Sequence, residues 1–354
     1  MIRLVVTALC MGLTVGPGDS QQATAIAEPS VVFVTASWQG WVRDTRSGEV
    51  FGGAGGYRST TECSGAVVDG DGLVVTAGQC VDSGTDGILD QAVAGLAAVG
   101  RVRDQKLARQ QLAEHAVVEG ARTGSPVERQ VQVTVGRDVA PATVVTVAAD
   151  ADVAVLRVPR GGLPALEVAT RDLPAGASVF AFGRAAGDAA PTSADTRVTG
   201  PGTPFVDIGT PTMSGGPVVD TRGRLVGLVV QDVTVMGAAG LTRLLRDKHI
   251  GLGPVDRDYR AGLGAYFAGD YDTAVEYLDA VVTAAPGNEP ARRYRDLATA
   301  HGGAPPDSGL LIALIVVCAA IAVASGAAGM VVAARRRREA MDTPPYGFRM
   351  EPLP

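Results

Sequence analysis

Lysine and histidine are both scarce in this chain. Of its 31 cationic residues only Lys106 and Lys248 are lysines, and the formal charge is −6. That balance excludes a general nucleic-acid binder, which needs a basic field to neutralise phosphates. The three histidines, His115, His249 and His301, complete no His/Cys/Asp cluster at metal-ligand spacing, so neither a metal nor a cofactor is expected. Low-complexity disorder is excluded as well. The 46 glycines and 21 prolines make up about a fifth of the chain, under the ~25–30% at which disorder becomes the better reading. With 354 residues, 46% of them hydrophobic, a packed core of about two folded units plus accessory segments is expected.

What is present begins with two apolar ends. Arg3, the apolar stretch Leu4 to Val15 and the Ala25-Ile26-Ala27 triplet read as a secretory signal over residues 1–27. Its apolar part is too short to cross a hydrocarbon layer of about 30 Å as a helix. Leu310 to Ala334 is different: 25 residues without a charge, followed at once by Arg335 to Arg338. A helix of that length spans a bilayer with some tilt. The arginines place residues 335–354 in the cytosol, so one transmembrane helix (310–334) would anchor an ectodomain outside the membrane. That ectodomain is acidic, which favours solubility over adhesion to an anionic surface.

Between the ends the periodicity changes twice. From about Pro29 to Leu245 short β-branched runs alternate with Gly, Asp and Pro, among them Val31 to Thr35, Leu73 to Val75, Val153 to Val158 and Leu225 to Val230. Asp69-Gly70-Asp71-Gly72 separates two runs in the manner of a hairpin turn. Many short strands with turn signals indicate an all-β barrel or sandwich. Residues 87–119 break the pattern with 3.6-type apolar spacing and predict a helical insertion. Residues 255–301 are helical again. Gly262, Gly269, Tyr271, Ala274, Leu278 and Pro286 fall at the spacings of a tetratricopeptide repeat, which they resemble. That pattern predicts two antiparallel helices, the second ended by Pro286. One repeat buries too little to stand alone, so it must pack on the β domain, on its flanking helix or on a partner. Residues 302–309, rich in Gly and Pro, would be the linker to the membrane.

Two blocks carry chemistry. The first runs Glu62-Cys63-Ser64-Gly65 through Thr76-Ala77-Gly78-Gln79-Cys80; the second is Met213-Ser214-Gly215-Gly216-Pro217-Val218-Val219-Asp220. Together with Asp152 to Val158 between them, they resemble trypsin-like serine peptidases of the bacterial secreted and HtrA type over residues 28–250. The resemblance implies an all-β double barrel with a helical insertion, then the tetratricopeptide-like hairpin and the transmembrane helix. It also implies Ser214 as nucleophile, Asp152 as the triad acid, an oxyanion hole from the backbone of Thr212 and Ser214, and a disulfide between Cys63 and Cys80. Such a bridge would contribute about 3 kcal/mol on the chain-entropy model.

The sequence departs from that family where proton transfer occurs. Gln79 stands where the family has its histidine, and a carboxamide has no usable proton affinity near neutral pH. Losing the base costs about 10⁶ in turnover in a related mechanism. Thr212 also replaces the usual glycine two residues before the nucleophile, where a β-branched residue fits the backbone poorly. The expectation is a membrane-anchored pseudoprotease that binds a protein or peptide. The alternative is an active serine endopeptidase with an unconventional base such as His115. A third reading makes the β domain a spacer and gives recognition to the helical unit.

Overall fold

In the computed structural model, residues 17–188, 190–198, 214–230, 235–248 and 250–304 are described. The segment 310–334 predicted to cross the membrane, the predicted tail and Thr212 lie outside them. Among the described residues no helix is long and apolar enough to cross a membrane. The first element is a helix, α1 (Pro17–Ala27). These residues read in sequence as the end of a leader, yet Ala23, Ala25, Ile26 and Ala27 are buried against the rest of the protein.

The β-branched runs form antiparallel strands β1 (Val31–Asp44), β2 (Val50–Phe51), β3 (Tyr57–Asp69) and β4 (Leu73–Ala77). A helical segment follows, made of α2 (Gln79–Asp82), α3 (Gly84–Ala98) and α4 (Gln105–His115), and the chain re-enters as β5 (Ala116–Glu119). Strands β6 (Glu128–Val135), β7 (Asp138–Ala148) and β8 (Val153–Arg157) complete the unit. The pairing order β1-β3-β4-β8-β7-β6, with β6 returning to β1, closes a six-stranded barrel. Val31, Val32, Val34, Val74, Val75 and Val155 are all without exposed surface, so these strands are buried on both faces, one toward the barrel interior and one toward the rest of the protein. Gly72 closes the predicted turn at φ +94°, where a Cβ would sit 2.2 Å from the Val158 carbonyl oxygen. The helical insertion is offset from its expected span. It starts at Gln79, and its last four expected residues are β5, paired with Trp41 to Asp44 of β1. Its α3 buries Ile88, Leu89, Ala92 and Val93, a stripe at helical spacing.

The second β unit contains β9 (Ser178–Gly183), β10 (Thr192–Arg197), β11 (Pro217–Asp220), β12 (Leu225–Val229) and β13 (Val235–Gly237), then α5 (Ala238–Leu244). Among the described residues these strands form one antiparallel sheet in the order β10-β9-β11-β12-β13. Phe180, Phe182, Val219 and Leu228 share a core with the barrel, so the two β units pack face to face.

Three helices close the described chain: α6 (Pro254–Ala268), α7 (Tyr271–Ala284) and α8 (Glu289–Ala300). Gly269 at φ +82° ends α6, Asp270 caps α7 through the Thr273 N–H, and Asn288 caps α8 through the Ala291 N–H. Gly262 lets α6 approach α7, since a Cβ there would lie 2.7 Å from Leu278. The unit thus has three helices where the spacing predicted two. It packs on α1 and on the β domain. Ala25 and Ile26 join its core, the Tyr259 hydroxyl donates to the Ala25 carbonyl at 2.9 Å, and Arg260 donates to the carbonyls of Arg222 and Gly223.

Candidate functional site

Three strand ends converge on Ser214. Strand β4 delivers Gly78 and Gln79, the start of β8 delivers Asp152, and the turn into β11 delivers Ser214 to Gly216. Backbone hydrogen bonds lock them together. The Gly78 N–H donates to the Asp152 carbonyl at 2.8 Å, and the Gln79 N–H donates to Asp152 Oδ1 at 2.7 Å. Among the described residues Asp152 is the non-glycine residue at positive φ, +47°. Aspartate tolerates this conformation better than most L-residues.

The turn carrying Ser214 is fixed from both sides. The Ser64 N–H on β3 donates to the Ser214 carbonyl at 2.8 Å, and the Gly215 N–H donates to the Val229 carbonyl at 2.7 Å. Gly215 has φ +79°, and a Cβ would lie 2.2 Å from the Ser64 carbonyl oxygen and 2.3 Å from Thr76 Oγ1. Only glycine fits there. Cys63 and Cys80 are joined in a buried disulfide with Cα atoms 6.0 Å apart. It ties the residue before Ser64 to the residue after Gln79.

On this frame Gln79 Nε2 donates to Ser214 Oγ at 2.8 Å. The residues expected to meet, Gln79, Asp152 and Ser214, do meet, although Gln79 reaches Asp152 through its backbone rather than its side chain. The contact engages a lone pair of the serine hydroxyl and offers no site that can remove its proton. Among the described residues neither histidine gives a substitute. His115 ends α4, where its carbonyl accepts from the Thr45 N–H. Thr45 directly follows β1 (Val31–Asp44), whereas Val34, the partner of Cys63, lies near that strand's start, so His115 belongs to the far end of the strand from the site. His301 stacks on Tyr271 with centroids 4.9 Å apart, and His249 lies outside the described residues. Among the described residues no group of three or more His, Cys, Asp or Glu could hold a metal ion.

Sequence reasoning did not single out Ser64 or Arg184. Ser64 Oγ accepts from the Arg184 N–H at 2.8 Å, which ties the end of β9 to β3 beside the site. The Arg184 guanidinium, buried in the interior, donates to the carbonyls of Gly136, Asp188 and Val31. The available signal was a lone polar residue, Ser64, in an otherwise apolar run. A cavity of about 1020 Å³ lies elsewhere, between the barrel and the helical unit. Arg137, Arg160, Asp256 and Pro286 line it, and none of Gln79, Asp152 or Ser214 does.

Residues 63–228 match the family of the trypsin-like peptidase domain. Among solved structures, Deg5 is similar at 18% identity, over 64% of this chain and 91% of that one, with a TM-score of 0.40. The serine endoprotease from Yersinia pestis is similar at 18% identity, over 66% of this chain and 69% of that one, with a TM-score of 0.41. No curated protein matches the chain.

Proposed function

The chain carries a trypsin-like peptidase domain, and we propose that this domain has lost peptide-bond turnover and serves to bind a protein or peptide. One observation carries the reading: the Ser214 hydroxyl faces the Gln79 carboxamide at 2.8 Å. In the chymotrypsin-type mechanism a neutral imidazole takes the serine proton during attack and returns it to the leaving amine. A carboxamide does neither. What remains at the site is a backbone geometry held in place by the hydrogen bonds of Ser64, Gly78, Gln79 and Gly215, on which a peptide could dock without being cut. Loss of the base sets the expected turnover about 10⁶ below that of an intact triad.

The domain sits, in this reading, outside a bacterial membrane, anchored by the apolar run 310–334 and followed by a cytosolic tail. A cut after Ala27 would strip α1 from its buried seat, so any leader is removed ahead of Pro17. The N-terminal residue of the exported protein, read by mass spectrometry, tests that boundary, and a start at Glu28 would refute it.

The test of function is labelling with a fluorophosphonate probe. The native ectodomain should give no Ser214-dependent label, and a label lost in Ser214→Ala would instead favour a working endopeptidase with an unconventional base. Gln79→His should restore measurable cleavage of a denatured protein substrate, because Asp152 and Ser214 are already held in register.

A further inference from the structure

The C-terminal helical unit has two ends with different chemistry. At one end Asp256 accepts from the Ala165 N–H of the β domain at 3.1 Å, and Arg260 pairs with Glu167. The other end is built from the close of α6, the start of α7 and the close of α8. There the rings of Tyr266, Phe267, Tyr271 and Tyr294 cluster, with Tyr266 5.2 Å from both Phe267 and Tyr294 and 5.8 Å from Tyr271. The exposed His301 stacks on Tyr271. Neither Lys nor Arg occurs in residues 264–273 or 298–304. The acids Asp270 and Asp272 are engaged with backbone N–H groups of Thr273 and Ala304.

The chain leaves the unit at this aromatic end. Ala304 is fastened to the start of α7 by its 2.8 Å hydrogen bond to Asp272, and Gly303 is buried beside Tyr271. Only residues 305–309 separate Ala304 from the apolar run that starts at Leu310. Six Cα steps reach at most about 22 Å. If that run spans the bilayer, the aromatic end is tethered within about 22 Å of the hydrocarbon edge, near enough to reach a headgroup layer about 5–8 Å deep. Tyrosine rings favour such an interface, with one edge apolar and the other wet.

We propose that this aromatic end seats on the lipid headgroup layer and that the helical unit is a strut, about 22 Å long by the rise of α6, between the peptidase domain and the bilayer. The proposal rests on the reading of residues 310–334 as a membrane anchor. It makes the site around Ser214 one that meets partners at a fixed height above the membrane. The surface recognised is a neutral headgroup layer: Arg293 is engaged over the Tyr294 ring, 5.0 Å from its centroid, and the acids Asp270 and Asp272 at the tip disfavour anionic lipid.

The experiment uses the full chain in phosphatidylcholine vesicles, with Cys10→Ser and Cys318→Ser removing the unpaired thiols. A bimane fluorophore is attached at Ala268→Cys, on the tip, or at Gly287→Cys, exposed in the loop at the other end. Headgroup nitroxide lipid should quench Ala268→Cys at least threefold more than Gly287→Cys. Equal quenching in chains that resist carbonate extraction overturns the strut and leaves the anchor standing. Extractable chains overturn both. Ten Gly/Ser residues inserted before Leu310 should leave the Ala268→Cys signal in place, because the rings and not the tether hold the contact. Its loss would overturn the aromatic seat.

Discussion

The site around Ser214 and the dock of the helical unit are held by different parts of the chain. The site is fastened largely through main-chain N–H groups, those of Gly78, Gln79, Ser64 and Gly215, beside the Asp152 carboxylate and the Cys63–Cys80 disulfide. The dock depends on the side chains of Asp256, Tyr259 and Arg260, which reach backbone groups of the β domain and α1. A backbone-held site keeps its geometry when a side chain changes. This explains how a carboxamide can occupy Gln79 with Ser214 and Asp152 still in register. A dock made by side chains has no such tolerance.

The sharpest way to break this contrast is to attack the backbone. Gly215→Ala puts a methyl group 2.2 Å from the Ser64 carbonyl at a φ of +79°, so the turn must open. We expect a loss of at least about 4 kcal/mol, the range reserved for strain and overpacking at special backbone positions. Urea unfolding followed by tryptophan fluorescence checks it. A loss under about 1 kcal/mol would mean that the turn is not locked as described. In contrast, Gln79→Ala removes only the side-chain contact to Ser214 and should cost about 1 kcal/mol or less.

On the dock, Tyr259→Phe deletes one hydroxyl and leaves the buried Ala25 carbonyl without that donor. Burial also raises the Tyr259 phenol far above its ordinary value, so it donates as a neutral group at any working pH. The expected loss is about 1–3 kcal/mol. Proteolysis should show α1 and α6 to α8 released together, since Ala25, Ile26, Tyr259 and Leu263 share one core. Release of α1 alone would separate the two.

How much of this was legible in sequence follows the same division. The barrel strands were readable because β-branched runs and an Asp-Gly turn leave few alternatives. Gln79, Asp152 and Ser214 were readable because short blocks resemble a known family. The seat of α1 was not, because Ala-Ile-Ala suits both a leader's cleavage site and a buried helix face. Nor was β5, whose Val117 and Val118 follow a helix directly and take their pairing from β1, more than seventy residues earlier. The Ser64–Arg184 tie spans 120 residues, and such side-chain-to-backbone bonds leave no local pattern.

The smallest expected effect is a pH dependence at the dock. Burial raises the Asp256 carboxyl above its ordinary 3.8, against the lowering influence of the Ala165 and Gly253 N–H groups. The folded chain therefore holds that proton more tightly than the unfolded chain. By linkage, the stability gained is fully present below pH 3.8 and is lost as pH rises through the elevated folded value. Asp256→Asn removes the titration and weakens one of the two N–H contacts. The stability difference between native and variant protein should then shift against the native chain as pH rises from about 4 through that window, and level off above it. Urea unfolding of both proteins across the range measures it. A difference that stays flat, or moves the other way, would mean that Asp256 is as well solvated in the dock as in the open chain, and the seat of α6 on Ala165 would have to be looser than its 3.1 Å hydrogen bond indicates.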